Sequence, residues 1–443
     1  MSDKAVILGG GVTGLACGLT CGLPVYEMAE SPGGICASYY VVPGEKRRLP
    51  VSPADEQAYR FEIGGGHWLW GSDALILQFL RSFVALKSYA RRAAVYFPDR
   101  DTFVPYPLQN HLRYLGREMA VQILREMHEA ARVQRPVATM ADWFEACFGP
   151  TLSRLFFHPF HELYTAGLWR QLAAQDDSKS PVDLWMATQG AFEEAPQGGG
   201  YNPSFLYPSE GLNALVQRLA AGCDIHYGRR VVKIDPGKKT LAFADGTVLP
   251  YSALLCTLPL NSVLKMTGLE VPSAPDPFTS VMVVNIGARK GPRCPQENWL
   301  YIPRSETGFH RVGFYSNVDP SFLPRSARPH GEFASIYVEN AYVGGRKPGA
   351  EEVESLCQGV VRELQAWDWI KQVEVVDPTW VETAYSWTRP GSAWRQEALR
   401  ILEAQDIYPL GRYGRWATQL KDQGIAQSLR AGLLAGACVR RPR

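Results

Sequence analysis

The chain has 443 residues, 46% of them hydrophobic, enough for two or three domains or for one nucleotide domain with insertions. Lysine plus arginine number 46 against 44 aspartate plus glutamate, a net charge of +2, so no strong field points to nucleic acid. Nine scattered cysteines without a C-x-x-C pair argue against a disulfide framework or zinc site and for a reducing, cytoplasmic setting.

Residues 5 to 36 set the frame. The apolar run Ala5 to Leu8 breaks into Gly9, Gly10 and Gly11, followed by Gly14 and Gly18. This is G-x-G-x-x-G between a predicted buried strand and a predicted helix. Gly9 permits the tight turn, Gly11 lets the backbone approach a pyrophosphate, and Gly14 lets helix and strand pack closely. The pyrophosphate then sits over free N–H groups at the helix N-terminus. The helix is short, with a turn at Gly22–Pro24. A second strand, Pro24 to Tyr26, ends in Glu27, placed to hydrogen-bond a ribose hydroxyl. Gly33 and Gly34 follow six positions later. Ala5 to Tyr26 carries no charge, but its glycines and lack of a dense Leu/Ile/Phe core argue against a signal peptide or membrane helix. Nothing else approaches spanning length.

A polar excursion, Val41 to Tyr59, tightens into Phe61 to Trp68, where Gly64, Gly65 and Gly66 precede His67. Consecutive glycines after a strand suggest backbone packed on a flat ligand. Asp73 is placed to cap a helix to about Leu86. Val95 to Tyr106 reads as a hairpin. Periodicity predicts helices over His111 to Val133, Met140 to Phe148 and Leu152 to Leu172. His158 and His161 form the only close histidine pair, without further zinc ligands, and read as packing or surface residues. Gly198 to Gly200 ends this insertion.

The nucleotide domain is expected to resume with strand Ser204 to Tyr207, helix Gly211 to Ala221 and strands Asp224 to Lys233, Thr240 to Val248 and Ala253 to Pro259. Strands over Val281 to Ala288, Trp299 to Ile302, Arg311 to Ser316 and Glu332 to Glu339 build an antiparallel sheet. Helix Glu351 to Trp369, strand Val373 to Tyr385, strand end Ile407 to Arg412 and a last helix, Gly424 to Cys438, follow. Arg440, Arg441 and Arg443 read as a solvated basic tail. The expected fold is α/β: a discontinuous Rossmann-like domain in pieces 1–70, 204–280 and 396–443, a mainly helical insertion 71–203 and an antiparallel sheet domain 281–395. The active site falls between them.

Glu27 with Gly33–Gly34 resembles the extended fingerprint of FAD-binding flavoproteins of the amine oxidase type. Further motifs jointly resemble the UDP-galactopyranose mutase family, its eukaryotic branch more than its bacterial one. Gly64-Gly65-Gly66-His67 resembles its Gly-Gly-His loop. Val104-Pro105-Tyr106-Pro107-Leu108-Gln109-Asn110 is similar to its V-P-Y-P-F-Q-N-N segment, the most specific match. Trp299-Leu300-Tyr301, the spacing from Arg311 to Ser316-Asn317, and Gly411-Arg412-Tyr413-Gly414-x-Trp416 with Gln423 downstream resemble further segments.

The resemblance implies reduced FAD acting without net redox change on a nucleotide sugar, with UDP leaving and returning while the sugar ring recloses on another oxygen. It implies Arg311 as diphosphate clamp, arginine's planar fork suiting phosphate oxygens. It implies His67 against the flavin, Gly65, Gly66, Val232, Arg412 and Gln423 as further cofactor contacts, and Asn202, Trp299, Tyr301 and Asn317 lining the sugar site. By residue type alone, Arg311 is a surface ion pair, His67 a core histidine, and Trp299 and Tyr301 core aromatics. The sequence departs from the pattern on the substrate side. Ala187 to Gly190 holds no second diphosphate arginine. Thr388-Arg389-Pro390-Gly391-Ser392 replaces a Tyr-Pro-Thr-Pro loop, and Thr418 replaces a tyrosine. Arg389, Arg395 and Arg415 are the cations available to compensate. The alternatives are an amine-oxidase-like FAD oxidoreductase of a small metabolite and a non-catalytic flavin- or nucleotide-binding protein. No feature sets the oligomeric state, and no membrane partner is expected.

Overall fold

A five-stranded parallel sheet carries the glycine turn. Its order is Ile407–Pro409, Leu254–Cys256, Val6–Leu8, Val25–Tyr26, Ile225–His226. This computed structural model describes residues 5–71, 73–133, 136–174, 182–193, 202–417 and 424–439. Gln423, Thr418, Gly198 to Gly200 and the basic tail lie outside the described residues. The strand Val6–Leu8 is apolar on both faces because helices cover both. Val6 and Leu8 join Trp394, Ala398 and Leu402 of helix Trp394–Glu403. Ile7 faces Cys17 of helix Val12–Cys21 and the last helix, Ile425–Val439. These two helices touch closely: a side chain at Gly432 would overlap the Thr13 carbonyl.

The predicted strand Asp224 to Lys233 is two strands. Gly228 has φ +66°, and the Arg229 N–H donates to the Glu27 carbonyl at 2.8 Å, so the chain turns there. Ile225–His226 ends the parallel sheet, and Val231–Asp235 starts a meander with Thr240–Phe243 and Val248–Pro250.

The second large sheet has seven strands, ordered Ile370–Ser386, Phe278–Lys290, Phe333–Val343, Arg311–Phe314, Trp299–Tyr301, Ala93–Phe97, Thr102–Pro105. The hairpin predicted within the helical insertion therefore completes this sheet, pairing in parallel with Trp299–Tyr301. Alternation sorts its residues. Leu300, Val312, Ile336 and Val338 pack with Val360 and Leu364 of helix Ala350–Ala366. Their neighbours Trp299, Tyr301, Arg311, Tyr337 and Glu339 face the other way.

The helical segments are Arg117–Arg132, Met140–Leu152, a π-turn Ser153–Phe157, His158–Tyr164 and Leu184–Phe192. The single helix expected over Leu152 to Leu172 is thus broken. The helix capped by Asp73 stops at Arg81, and Leu86–Ala90 is instead a strand. Ser204–Pro208 pairs with that strand rather than resuming the parallel sheet. No described helix is long and apolar enough to cross a membrane. The described residues hold no cluster of three metal-ligating side chains, and all nine cysteines are free.

Candidate functional site

The glycine turn forms a cradle. Gly9 has φ +97°, and a Cβ at Gly14 would overlap the Gly9 carbonyl oxygen. The Gly33 N–H donates to the Gly10 carbonyl at 2.8 Å, and Gly11 bridges Gly33, so the two glycine segments lie side by side. A Cβ at Gly11 would meet nothing within 4 Å. That open side, over the N-terminus of Val12–Cys21, is the room a pyrophosphate needs. Glu27 is buried. Its Oε2 accepts from the Gly10 N–H at 2.6 Å and its Oε1 from the Ala29 N–H at 2.8 Å. It braces the turn, and each oxygen keeps a lone pair for a hydroxyl.

Arg412 stands on the turn Gly411–Gly414, with its guanidinium 5.9 Å from the Tyr385 ring and 5.4 Å from the Tyr413 ring. Its Nε is buried with no protein acceptor. An orphaned buried donor beside a nucleotide cradle fits a cofactor oxygen. Val232 is exposed at the irregular end of Val231–Asp235.

The sheet face opposite Ala350–Ala366 floors a cavity of about 170 Å³. Tyr301, Arg311 and Glu339 stand directly opposite one another on three adjacent strands, as do Trp299, Gly313 and Tyr337. Trp299, Tyr301, Arg311 and Tyr337 line the cavity. Phe156, Phe160, His161 and Tyr164 from the π-turn and its helix form one wall, and Gly66, Trp68, Trp70, Arg91 and Tyr106 complete it. The walls are mostly aromatic, with two guanidiniums set among them.

Behind the floor lies a buried charge cluster. Arg311 Nη1 donates to Glu339 Oε1 at 3.2 Å, and its guanidinium lies 5.5 Å from the Tyr301 ring. Glu339 is 3% exposed, with His310 Nε2 at 3.4 Å and the Tyr385 hydroxyl at 3.4 Å from Oε2. Burial works to raise the Glu339 pKa, but Arg311 and then His310 hold it down to about 2. Burial lowers the His310 pKa, with Glu339 acting against that shift.

Of the expected substrate residues, the cavity gathers Trp299, Tyr301 and Arg311. It does not gather Asn317, whose Nδ2 donates to the carbonyls of Pro295 and Glu297 at 2.9 and 2.8 Å. Asn202 is exposed, in left-handed backbone at φ +39°. His67 does not line the cavity; its Nδ1 lies 3.1 Å from the Gly65 carbonyl oxygen, and burial lowers its pKa. The close approach at the triple glycine is to the protein itself: a Cβ at Gly66 would overlap the Tyr337 hydroxyl, and one at Gly65 would stand 3.1 Å from Glu339 Oε1. His161, expected in packing or on the surface, is a wall residue. Sequence reasoning misses Arg91, Tyr337 and Glu339. Their signal is polar groups at alternate positions of otherwise apolar strands, and for Arg91 an arginine just before a strand.

Glu62, two residues before the triple glycine, is fully buried. Its Oε1 accepts from the Tyr207 hydroxyl and from Ser38 Oγ. Burial pushes its pKa from 4.5 up to about 7. A raised folded-state pKa gives stability that is full below pH 4.5 and lost as pH rises through 7. Glu62→Gln removes the titration and is expected to relieve about 3 kcal/mol of the loss at pH 8 to 9. Thermal melts at pH 5 and pH 8.5 check this; a wild-type decline that Glu62→Gln leaves unchanged refutes it.

A family model described as flavin containing amine oxidoreductase matches residues 25–412. Among solved structures, a reduced UDP-galactopyranose mutase is similar with TM-score 0.83 at 20% identity, covering 99% of this chain and 94% of that one. An oxidoreductase from Methanosarcina mazei gives TM-score 0.57 at 14% identity, covering 96% and 98%. A fatty acid isomerase from P. acnes, described as CLA-producing, gives 0.58 at 12%, covering 99% and 98%. At these identities the likeness is one of fold.

Proposed function

Since the chain belongs to the flavin-containing amine oxidoreductase family and takes FAD as its cofactor, we propose that it is a redox-neutral mutase of the UDP-galactopyranose mutase kind, acting in the cytoplasm on a nucleotide sugar. The observation that carries the reading is Arg311, a half-buried guanidinium on an aromatic cavity, whose buried Nε lacks a protein acceptor. The larger likeness to the mutase fold, TM-score 0.83 against 0.57 and 0.58, supports it. The joint resemblance of the sequence motifs favours the eukaryotic branch. We assign FAD-binding pieces 1–70, 204–280 and 396–443, a cap 71–203 and a substrate domain 281–395, with the hairpin strands Ala93–Phe97 and Thr102–Pro105 of the cap segment completing the substrate domain's sheet.

Gly9, Gly11, Gly14, Gly33 and Gly34 would hold the cofactor's pyrophosphate, and Glu27 its ribose. Arg412 would meet a buried oxygen, and Gly65, Gly66 and His67 would border the ring system. Gln423 and Val232 are assigned as outer contacts. Reduced FAD supplies an electron-rich ring able to bond a sugar carbon and release it again. The protein's part is position and charge. Arg311 holds the departing diphosphate, Glu339, itself held by the Tyr385 hydroxyl, fixes that guanidinium, and Trp299 and Tyr301 flank the sugar. The aromatic walls exclude water, which strengthens every charge interaction inside.

Incubation of the dithionite-reduced protein with UDP-, GDP- and TDP-sugars, read by chromatography of ring forms, tests the reading. Interconversion by reduced but not oxidised protein is expected, and no conversion across the panel sinks it. The family match favours one second reading, an FAD oxidoreductase of a small metabolite. Acceptor consumed in proportion to product would favour it.

A further inference from the structure

Three thiols gather beneath the nucleotide cradle, and none of them lines the aromatic cavity. Cys17 and Cys21 stand one turn apart on helix Val12–Cys21, Cys17 fully buried and Cys21 partly exposed. Cys223 comes from the turn that follows helix Leu212–Ala220. Its Sγ donates to the Leu15 carbonyl at 3.3 Å and the Leu219 carbonyl at 3.4 Å, and it stands 3.4 Å from where a Cβ would lie at Gly18. Gly18 is thus the gap through which Cys223 reaches the first helix, and Cys21 is the next residue but two on the same face. Both helices shape the cradle. The first is capped by Gly11, and Val216 of the second lies against Gly33, 2.9 Å from where a Cβ would stand.

Their surroundings give the three sulfurs different parts. The Cys17 thiol, as a hydrogen-bond donor, lowers the Cys21 pKa to about 6, against burial that raises it. A partly exposed sulfur that is a thiolate at neutral pH is the nucleophile of the group. Burial, and after it the Cys21 charge, pushes the Cys223 thiol up to about 11, so that sulfur keeps its proton until it reacts. Cys17 and Cys21 are poorly placed for a disulfide with each other. One helical turn sets their Cβ atoms about 5–6 Å apart, where a disulfide needs about 3.5–4.5 Å. Cys21 and Cys223 are free to close. Cys21 is the last residue of its helix, Gly22 follows in left-handed backbone at φ +70°, and Cys223 lies in a turn, so neither end is held by a helix on both sides.

We propose that Cys21 and Cys223 are a peroxide-oxidised pair whose reversible disulfide clamps the two helices of the cradle together and slows the loss of FAD. The Cys21 thiolate attacks hydrogen peroxide. An S–O bond forms, the O–O bond breaks, and the leaving oxygen takes up a proton as water. Cys223 then gives up its proton, and its sulfur attacks the Cys21 sulfur. The S–S bond forms, the S–O bond breaks, and that oxygen leaves with the proton as water. Two thiols are oxidised and one peroxide is reduced to two waters; a dithiol reverses the link by exchange. The clamp needs no sugar and no turnover, so it stands apart from the mutase reading.

The test uses FAD-loaded Cys438→Ser protein, which lacks the exposed thiol able to link two copies. It is treated with an equimolar amount of hydrogen peroxide, its thiols are counted, and its unreduced peptides are mapped by mass spectrometry. Loss of two thiols with the Cys21 and Cys223 peptides joined is expected, and dithiothreitol restores both. Release of FAD on dilution, followed by flavin fluorescence, is expected to slow roughly 5-fold or more in the linked protein. Adding Cys21→Ser or Cys223→Ser abolishes the link and leaves FAD release indifferent to peroxide. Matching flavin spectra establish that each variant is folded. Should a serine variant fail to hold flavin, Cys21→Ala or Cys223→Ala carries the same expectation. In Cys17→Ala the link still forms, but the midpoint of its pH–rate profile moves up from about 6. Thiols that survive peroxide, or a Cys17–Cys21 link in place of the other, overturn the pair. A Cys21–Cys223 link that leaves FAD release unchanged overturns the clamp.

Discussion

Gly14→Val is expected to yield protein without flavin. Gly14 lies in the first turn of Val12–Cys21, where any Cβ overlaps the Gly9 carbonyl oxygen. The obstacle is backbone, held by the Gly9 N–H donating to the Tyr26 carbonyl at 2.9 Å. It cannot swing aside as a side chain does, so the cost reaches or exceeds the roughly 1–3 kcal/mol of ordinary overpacking. Relief requires the helix to leave the strand, which opens the cradle. The visible flavin band relative to protein absorbance measures the outcome. Gly11→Ala is the informative contrast. Its methyl meets no protein atom, so the fold is expected to survive while FAD affinity falls, because the methyl occupies the phosphate's approach. Full flavin content in Gly14→Val would refute the argument.

Glu339→Ala is expected to cost about 3 kcal/mol of stability, because it leaves the half-buried Arg311 charge without its partner. Glu339→Gln keeps an acceptor for Arg311 and is expected to cost less. The pH dependence separates this carboxylate from others. A folded-state pKa depressed from 4.5 to about 2 gives stability that is present above pH 4.5 and lost as pH falls towards 2. That is worth about 3 kcal/mol in wild type and is absent from Glu339→Gln. Denaturant titrations at pH 6 and pH 3 read the difference. Equal acid sensitivity in the two proteins would overturn it. The sign is opposite to that of Glu62. The Glu62 carboxyl bonds two neutral hydroxyls, so burial wins there, whereas Glu339 bonds a guanidinium directly and stays charged.

The nucleotide half of the molecule is readable from sequence because its chemistry is local. Gly9, Gly11, Gly14 and Glu27 act within one strand–turn–helix–strand unit, so their spacing alone carries the geometry. The cavity is less readable because its residues meet only through sheet register. Arg311 finds Glu339 across one strand pair and Tyr301 across another, and no linear spacing encodes that. Arg91 is hidden for the same reason: a parallel pairing between Ala93–Phe97 and Trp299–Tyr301 brings it in from far away in sequence. Boundaries fail where backbone punctuation outweighs periodicity, as at Gly228 and in the π-turn before His158. Asn317 misleads because its amide is satisfied by two carbonyls, which residue type cannot reveal.

The order of strands in the parallel sheet bears on how the protein matures. Val6–Leu8 is made well before one of its neighbours, Leu254–Cys256, which follows it by more than half of these 443 residues. The edge strand Ile407–Pro409 and the helix that presses on Val12–Cys21 follow later still. Until then Ile7 and Cys17 lack the surfaces that cover them. A nascent chain that stops short of Ile407 therefore carries the glycine turn without the edge strand and helix that cover its supporting strand.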